Sequence, residues 1–148
     1  MKSNSVLLTI FHRLFKEYGP QHWWPGETPF EVMVGAILTQ STGWQNVEKA
    51  IHNLKNAVAL CPKALRRLPT EEIARLIHPC GYYNAKARKL KALVNWLNDA
   101  YDDNLEKLFA EETENLRKQL LEVHGVGPET ADSILLYAAN NPVFVIDA

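Results

Sequence analysis

Leu120-Leu121-Glu122-Val123-His124-Gly125-Val126-Gly127-Pro128-Glu129-Thr130-Ala131 is the stretch that decides the fold, because it sets a sharp turn between two helical patterns. Two glycines one residue apart, Gly125 and Gly127, permit positive φ angles and a very tight chain reversal. Pro128 suits the first turn of the second helix, where its missing N–H costs nothing. Such a turn directs free backbone N–H groups and a helix N-terminus outward, an arrangement that binds phosphate. The glycines alone also fit a plain turn between two helices with a glycine C-cap.

Helical patterning dominates the rest of the chain as well. A first helix is predicted from apolar residues at helical spacing and ends at Gly19-Pro20. Pro29 suits the first turn of a second helix, and the nearly unbroken apolar run from Phe30 to Leu38 predicts that this helix is buried on most sides. Further helices are predicted from Trp44 to Leu60, from a Thr70 cap to Gly81, from Asn84 through Leu97, from Thr113 to Val123 and from Pro128 to Ala139.

Strand signals are nearly absent from the sequence. The β-branched run from Val143 to Ile146 is too short to build a sheet, and no linker, repeat or low-complexity tract divides the chain. The sequence therefore predicts a single all-α domain over residues 1–148.

The charge of the chain is segregated along the sequence, although its net value is only −1. Residues 63–91 carry eight basic and two acidic side chains, whereas residues 97–132 carry ten acidic and three basic ones. A solvated helix face and a phosphate-facing surface both explain the basic stretch.

Several classes of protein are disfavoured by composition. No apolar run approaches the roughly 20 residues that a membrane-spanning helix needs, and no signal peptide precedes the first helix. We therefore expect no membrane association and a cytoplasmic location, beside the nucleoid if the protein is bacterial. Cys61 and Cys80 lie far apart and are expected to be buried thiols in a reducing compartment. The five histidines form no cluster with cysteines or aspartates, so no metal site is predicted from side chains.

Four segments resemble, in the same order, the endonuclease III family of helix-hairpin-helix DNA glycosylases. They are Val34 to Gln40 (VGAILTQ), Gly81 to Ala87 (GYYNAKA), the turn quoted above and Val143 to Asp147 (VFVID), within a match over about residues 28 to 147. The resemblance implies a base-excision repair enzyme that acts on double-stranded DNA containing a damaged base. It also implies a helical barrel over residues 28–141, with the hairpin at residues 124–128.

The same resemblance implies the residues of the site. Asp147 takes the place of the family's catalytic aspartate, whose carboxylate stabilises the charge that develops on the sugar. Gln40 matches a glutamine that fills the gap left by a nucleotide rotated out of the duplex. The implied DNA-binding residues are Gln40, Lys86, His124, Gly125, Val126, Gly127 and Thr130. In this family the backbone of the hairpin, here residues 124–127, often binds a monovalent cation.

One departure from the family pattern bears on the type of reaction. Members that also nick the strand carry a lysine at the position of Glu129, and this lysine forms a Schiff base with the sugar. A carboxylate cannot form that imine. We therefore predict a monofunctional glycosylase without lyase activity.

The loop from Gln21 to Gly26 suggests the substrate. Its tryptophan-tryptophan-proline stretch resembles the branch of the family that removes 3-methyladenine, so Trp23, Trp24, Pro25 and Trp44 are the predicted base pocket. An alkylated purine is cationic, and an indole face attracts a cation by roughly 0.5–2 kcal/mol. The alternative is that at least one of the two loop tryptophans, Trp23 and Trp24, packs in the core and does not line a pocket. The same alternative holds for Trp44.

The end of the chain affects what the first helix can contact. Members of the family continue beyond the aspartate with helices that pack on the first helix, sometimes carrying four cysteines around an iron–sulfur cluster. We expect residues 1–20 to pack on such helices or, without them, on a second copy of the chain. A cluster cannot be built from two cysteines, so no cofactor is expected within this chain. The alternatives to the alkylpurine prediction are a glycosylase for mismatched, oxidised or deaminated bases and a non-catalytic DNA-binding fragment.

Overall fold

A computed structural model describes residues 2–147, with side chains from residue 5 onward. Over this range the chain forms nine α-helices and no β-strand, which confirms the predicted all-α fold. The helices are α1 (Lys2–Tyr18), α2 (Pro29–Leu38), α3 (Trp44–Asn56), α4 (Pro62–Arg67), α5 (Thr70–Leu76), α6 (Tyr83–Tyr101), α7 (Leu105–Phe109), α8 (Thr113–Glu122) and α9 (Pro128–Ser133). A 3₁₀ turn at His78–Cys80 follows α5, and a π-helical turn at Ile134–Ala138 continues α9.

Helix α2 is the centre of the core, as its apolar sequence predicts. Every residue from Phe30 to Leu38 is buried, and the helix packs against α3, α6, α9 and the π-helical turn. The Oγ1 atom of Thr28 caps the helix by accepting a hydrogen bond of 3.1 Å from the Glu31 backbone N–H. Since α2 is buried on nearly all sides, the residues that follow its C-terminus are held in a fixed position.

Helix α6 organises the second half of the core. Its buried face, which includes Leu90, Leu93 and Leu97, packs against α4 and α5. A paired ion contact joins α4 to the turn after α6: the Arg66 guanidinium donates to both carboxylate oxygens of Asp103, at 2.7 and 2.8 Å. Lys91, on α6, donates to the backbone carbonyl oxygen of Arg66 on α4.

Some predicted boundaries are corrected by the structure. Thr70 is the first residue of α5 and not its cap; Pro69 precedes it, and no side chain caps that end. The helix ends at Leu76, and Gly81, at φ +62°, instead follows the 3₁₀ turn. Helical periodicity does not predict α4 and α7, because six and five residues are too few to show a helical period.

Helix α1 has an exposed apolar face. Its large apolar side chains have exposed fractions between 49% and 68%, and they are Val6, Leu7, Leu8, Ile10, Phe11, Leu14, Phe15 and Tyr18. Phe144, 82% exposed, lines a groove with five of these residues. Whether further helices or a second copy cover this face stays a prediction. Within the described residues, no helix has both the length and the apolar character to cross a bilayer.

Candidate active site and nucleic-acid interface

The hairpin that joins α8 to α9 is built from residues 123–127. Gly125 has a φ of +85°, as predicted, whereas Gly127 is extended at φ −92° and ψ −178° and needs no left-handed freedom. The Val126 N–H donates to the Val123 carbonyl oxygen at 3.0 Å, and the Val126 side chain is buried. Pro128 occupies the first turn of α9, and no side chain caps this helix N-terminus. The hairpin therefore presents free backbone N–H groups at the surface, beside the exposed His124.

An ion pair fixes the angle between the two helices of the hairpin. The Arg117 guanidinium, on α8, donates to both carboxylate oxygens of Asp132 on α9, at 2.6 and 3.0 Å. Asp132 is buried, so this pair is shielded from water on one side. Bidentate geometry of this kind restricts orientation as well as distance.

Gln40, two residues beyond α2, lies against this hairpin. Its amide Nε2 donates to the Gly125 carbonyl oxygen at 2.9 Å and to Thr130 Oγ1 at 3.0 Å, and its Oε1 accepts from Lys89 Nζ. Thr130 is buried at the start of α9. The structure thus brings together three of the implied DNA-binding residues, and it adds Lys89, which the sequence did not single out.

An open cleft of about 1080 Å³ lies beside these contacts. Gln40, the hairpin from His124 to Gly127, Thr130 and Asp147 line it, so most of the predicted DNA-binding residues share one surface with the predicted catalytic carboxylate. Glu122 and Glu129 also line the cleft. Among the described residues that line it, Lys89 is the only one with a lysine or arginine side chain. Asp147 and its neighbour Ile146 are exposed, on the segment without regular secondary structure that follows the π-helical turn.

Glu129 and Asp147 are neighbours in this cleft. The pKa of Glu129 lies above its ordinary value because partial burial disfavours its charge and because the Asp147 carboxylate is adjacent. The side chain at position 129 therefore faces the same part of the cleft as Asp147. This is where the strand-nicking members of the resembled family carry their lysine.

The tryptophans form an aromatic cluster. The Trp24 ring lies 5.6 Å from Trp44 and 5.5 Å from Tyr137, and Trp23 lies 5.3 Å from Trp44, as centroid distances. Trp24 also packs on Gly35, where an added Cβ would come within 3.1 Å of the indole. Core packing and pocket lining are thus combined in Trp24, while Trp23 is 54% exposed. No sequence pattern indicates Tyr137, which belongs to the cluster because the π-helical turn packs on α2.

A cavity of about 240 Å³ opens beside the cluster and is lined by Trp24, Pro25 and Trp44, together with Glu31 and Lys55. Trp23 does not line it. The Glu31 carboxylate is buried and pairs with Lys55 Nζ at 3.0 Å. This cavity and the cleft of Asp147 have no lining residue in common; the segment from Gln40 to Trp44 joins them.

Lys86 does not belong to the DNA-facing surface, and its assignment there is corrected. Its side chain is only 2% exposed, and its ammonium donates to the Leu38 carbonyl at 3.0 Å and to the Cys80 carbonyl at 2.7 Å. Burial lowers the pKa of Lys86. Lys86 therefore ties the C-terminus of α2 to the 3₁₀ turn instead of contacting a ligand.

The two cysteines differ in environment. Cys80 is buried, and burial raises the pKa of its thiol, whereas Cys61 is exposed, contrary to the expectation for both. Among the described residues, no three side chains of His, Cys, Asp or Glu are grouped closely enough to hold a metal ion.

Comparison with known proteins agrees with this geometry. Residues 34–148 match the family described as the HhH-GPD superfamily of base excision DNA repair proteins. A protein of Methanocaldococcus jannaschii named as a DNA repair glycosylase is 44% identical over 151 aligned positions, which cover all of this chain and 69% of that protein. The endonuclease III homologue 1 of Arabidopsis thaliana is 32% identical over 79% of this chain and 29% of its own length.

A solved structure extends the comparison. The H. pylori 3-methyladenine DNA glycosylase MagIII, bound to 1,N6-ethenoadenine, superposes with a TM-score of 0.82 at 32% identity, covering 97% of this chain and 67% of that one. The family match covers most of the chain and includes the hairpin and Asp147. The chain therefore belongs to the HhH-GPD superfamily of base excision DNA repair proteins and is, by class, a DNA N-glycosylase.

Proposed function

We propose that this protein is a monofunctional glycosylase that removes alkylated purines such as 3-methyladenine from double-stranded DNA. The observation that carries the proposal is the aromatic cluster of Trp23, Trp24, Trp44 and Tyr137 beside a cavity that the segment from Gln40 to Trp44 joins to the hairpin cleft. The likeness to MagIII, a 3-methyladenine glycosylase, supports the choice of base.

The hairpin is the proposed grip on the DNA backbone. A phosphate that approaches residues 124–127 meets backbone N–H groups and the uncapped N-terminus of α9, where the helix dipole favours an anion. These donors are main-chain atoms, so the grip does not depend on the net charge of the chain. His124 is exposed at the hairpin and is proposed to add a side-chain contact to phosphate.

A monovalent cation at the hairpin would be bound by the backbone carbonyl oxygens of these residues and not by their N–H groups. The carbonyl of Gly125 already accepts from Gln40, and that of Gly127 accepts from the Ala131 N–H at 2.9 Å. Among the described residues no backbone N–H donates to the carbonyls of His124 and Val126, so these two oxygens fit the role of cation ligands. Cleavage of the glycosidic bond does not depend on this cation.

Base selection is proposed to rest on the indole rings. The extruded base must be read in a pocket, and flat aromatic faces suit a purine. An N3- or N7-alkylated purine is positively charged, so the electron-rich face of Trp24 or Trp44 attracts it more than an undamaged purine. A cationic base is also a good leaving group, so no separate acid is needed to protonate it.

The chemistry is assigned to Asp147. The bond between C1′ and the base nitrogen breaks with its electron pair leaving on the base, which neutralises the cationic purine. The carboxylate stabilises the positive charge that develops on the sugar, water adds at C1′, and a proton is released. Glu129 cannot form an imine at C1′, so the reaction ends at an abasic sugar.

The test is release of bases from duplex DNA treated with a methylating agent, using the protein as its gene encodes it. We expect 3-methyladenine among the released bases and at least 100-fold slower release by Asp147→Asn, because one charge-stabilising group is worth about that factor or more. Release from uracil or thymine mismatches alone would favour the deaminated-base alternative. Binding of duplex without release of any base would favour a binding module. A duplex with 1,N6-ethenoadenine extends the assay to the base seen in MagIII.

A further inference from the structure

Lys89 is the basic residue of α6 that faces the cleft. Its side chain is half-buried and crosses Gly125 so closely that an added Cβ on the glycine would lie 2.2 Å from Lys89 Cγ. Its ammonium donates to Gln40 Oε1. The Gln40 amide is thus held at both ends, by Lys89 on its oxygen and by Gly125 and Thr130 on its nitrogen.

The position of Lys89 distinguishes it from the other basic residues of the stretch from residue 63 to residue 91, because among them it alone lines the cleft. Arg66 and Arg75 pair with carboxylates, and Lys86 with two carbonyls in the core. Lys89 instead donates to a neutral amide at the edge of the cleft. The bond from the Lys89 ammonium to an amide oxygen involves one charged group, whereas a bond to phosphate adds the attraction between opposite charges, so a phosphate competes well for this ammonium.

We propose that Lys89 is a positioning residue that holds Gln40 against the hairpin and releases it when DNA phosphate takes the ammonium. This inference rests on the proposed binding of duplex DNA by the hairpin surface. In the free protein Gln40 is retracted, and it makes three hydrogen bonds. Arrival of a phosphate at Lys89 removes the bond to Oε1, after which Gln40 is free to leave Gly125 and Thr130 and enter the duplex.

The arrangement couples backbone binding to the release of Gln40. A protein that kept Gln40 extended would expose a polar side chain with no fixed conformation, whereas Lys89 keeps it ordered until DNA is present. The alkyl chain of Lys89 also packs against Gly125 and so holds the hairpin in place. The ammonium therefore links the two elements that the proposed function assigns to the DNA.

The experiment uses an undamaged duplex, so that failure to excise any base leaves its outcome readable. Binding is measured against salt concentration, and the side-chain amide of Gln40 is followed by ¹⁵N NMR with and without DNA. Lys89→Met keeps the stem over Gly125 and removes the donor. Arg88→Met, a change of the same charge at an exposed neighbour, is the control.

In the wild-type protein we expect the Gln40 amide protons to be protected from exchange and to lose that protection when duplex is added. Lys89→Met should lack the protection already in the free protein, and its slope of log K against log salt should fall by about 0.9, the value of one phosphate contact. Arg88→Met should keep the Gln40 protection and its loss on adding DNA.

A second variant separates the charge from the hydrogen bond. Lys89→Gln retains a donor but no charge, so Gln40 should stay protected in the presence of duplex. The proposal is overturned if duplex leaves the wild-type Gln40 amide protected, or if Lys89→Met binds with an unchanged salt slope. Absence of all duplex binding would instead refute the proposed DNA surface, on which the inference rests.

Discussion

The ammonium nitrogen of Lys86 lies 3.0 Å from the carbonyl oxygen of Leu38, although 48 residues separate the two. Leu38 is the last residue of α2, so its carbonyl is one of those that lack a partner within the helix. Lys86 satisfies it from inside the core and donates to Cys80 at the same time. Because Gln40 follows Leu38 by two residues, this contact also fixes where the cleft begins.

Lys86→Met should destabilise the fold without weakening the response of DNA binding to salt. Methionine fills a similar volume, but the carbonyls of Leu38 and Cys80 lose a charged donor, and such hydrogen bonds are worth about 1.5–3 kcal/mol. Urea denaturation should therefore show a loss of about 1–3 kcal/mol. A variant as stable as the wild type would show that the buried ammonium contributes nothing. If Lys86→Met instead lowered the slope of log K against log salt as Lys89→Met is expected to do, Lys86 would contact DNA phosphate after all.

The stability contributed by Lys86 should depend on pH in a defined direction. Burial lowers the pKa of Lys86 in the folded protein, so the unfolded state holds this proton more tightly. As pH rises toward the unfolded-state pKa of about 10.4, the native state gains stability from this group. The difference in free energy of unfolding between wild type and Lys86→Met should grow from pH 7 to pH 10. Urea denaturation across this range measures it, and a constant or shrinking difference would contradict the assignment.

Gly125→Ala should be far more harmful than Gly127→Ala. At Gly125 the φ of +85° disfavours any side chain, and a Cβ would collide with Lys89, so we expect at least about 1 kcal/mol of destabilisation. At Gly127 the backbone is extended and nothing lies within 4 Å of an added Cβ, which makes it the matched control. Thermal denaturation compares the two variants. Equal losses would mean that the hairpin is not held as the structure shows.

Glu129→Lys should produce an enzyme that can be trapped on DNA. The new amine would lie beside Asp147, where it can attack C1′ and form an imine after the base departs. Borohydride reduction should then give a covalent adduct on a denaturing gel, while the wild type gives none. Glu122→Lys, the same charge change on the rim of the cleft, is the control. A wild-type adduct would overturn the monofunctional assignment.

The sequence predicted the fold well where the patterns are local and long. The apolar run of α2, the turn at Gly125 and the all-α class follow from helical periodicity and glycine conformation, and the structure confirms them. The short helices α4 and α7 were not predicted, because helices of six and five residues form through capping and tertiary packing and show no helical periodicity.

The site was harder to predict, for a physical reason. A lysine in a basic stretch is expected to be exposed. Lys86 is nevertheless buried, because its ammonium donates to the carbonyls of Leu38 and Cys80, which lie 48 and 6 residues away in the sequence. The contacts of Lys89 and Tyr137 could not be predicted for the same reason, because their partners, Gln40 and Trp24, lie far away in the sequence. Such residues are recognisable only once the packing of α2, α6 and the π-helical turn is known.

Trp24→Ala and Trp23→Ala should separate packing from recognition of the base. Trp24 contacts Gly35, Trp44 and Tyr137, so its loss should cost roughly 2–4 kcal/mol and abolish release of 3-methyladenine. Trp23 is 54% exposed, so its loss should change the stability far less. Because Trp23 belongs to the cluster proposed to recognise the cationic base, Trp23→Ala should raise KM for alkylated purines, and Trp23→Phe, which keeps an aromatic face, should restore part of the loss. Steady-state release assays with thermal denaturation distinguish these effects. Full activity of Trp24→Ala on 3-methyladenine would remove the aromatic cluster as the basis of the proposed specificity.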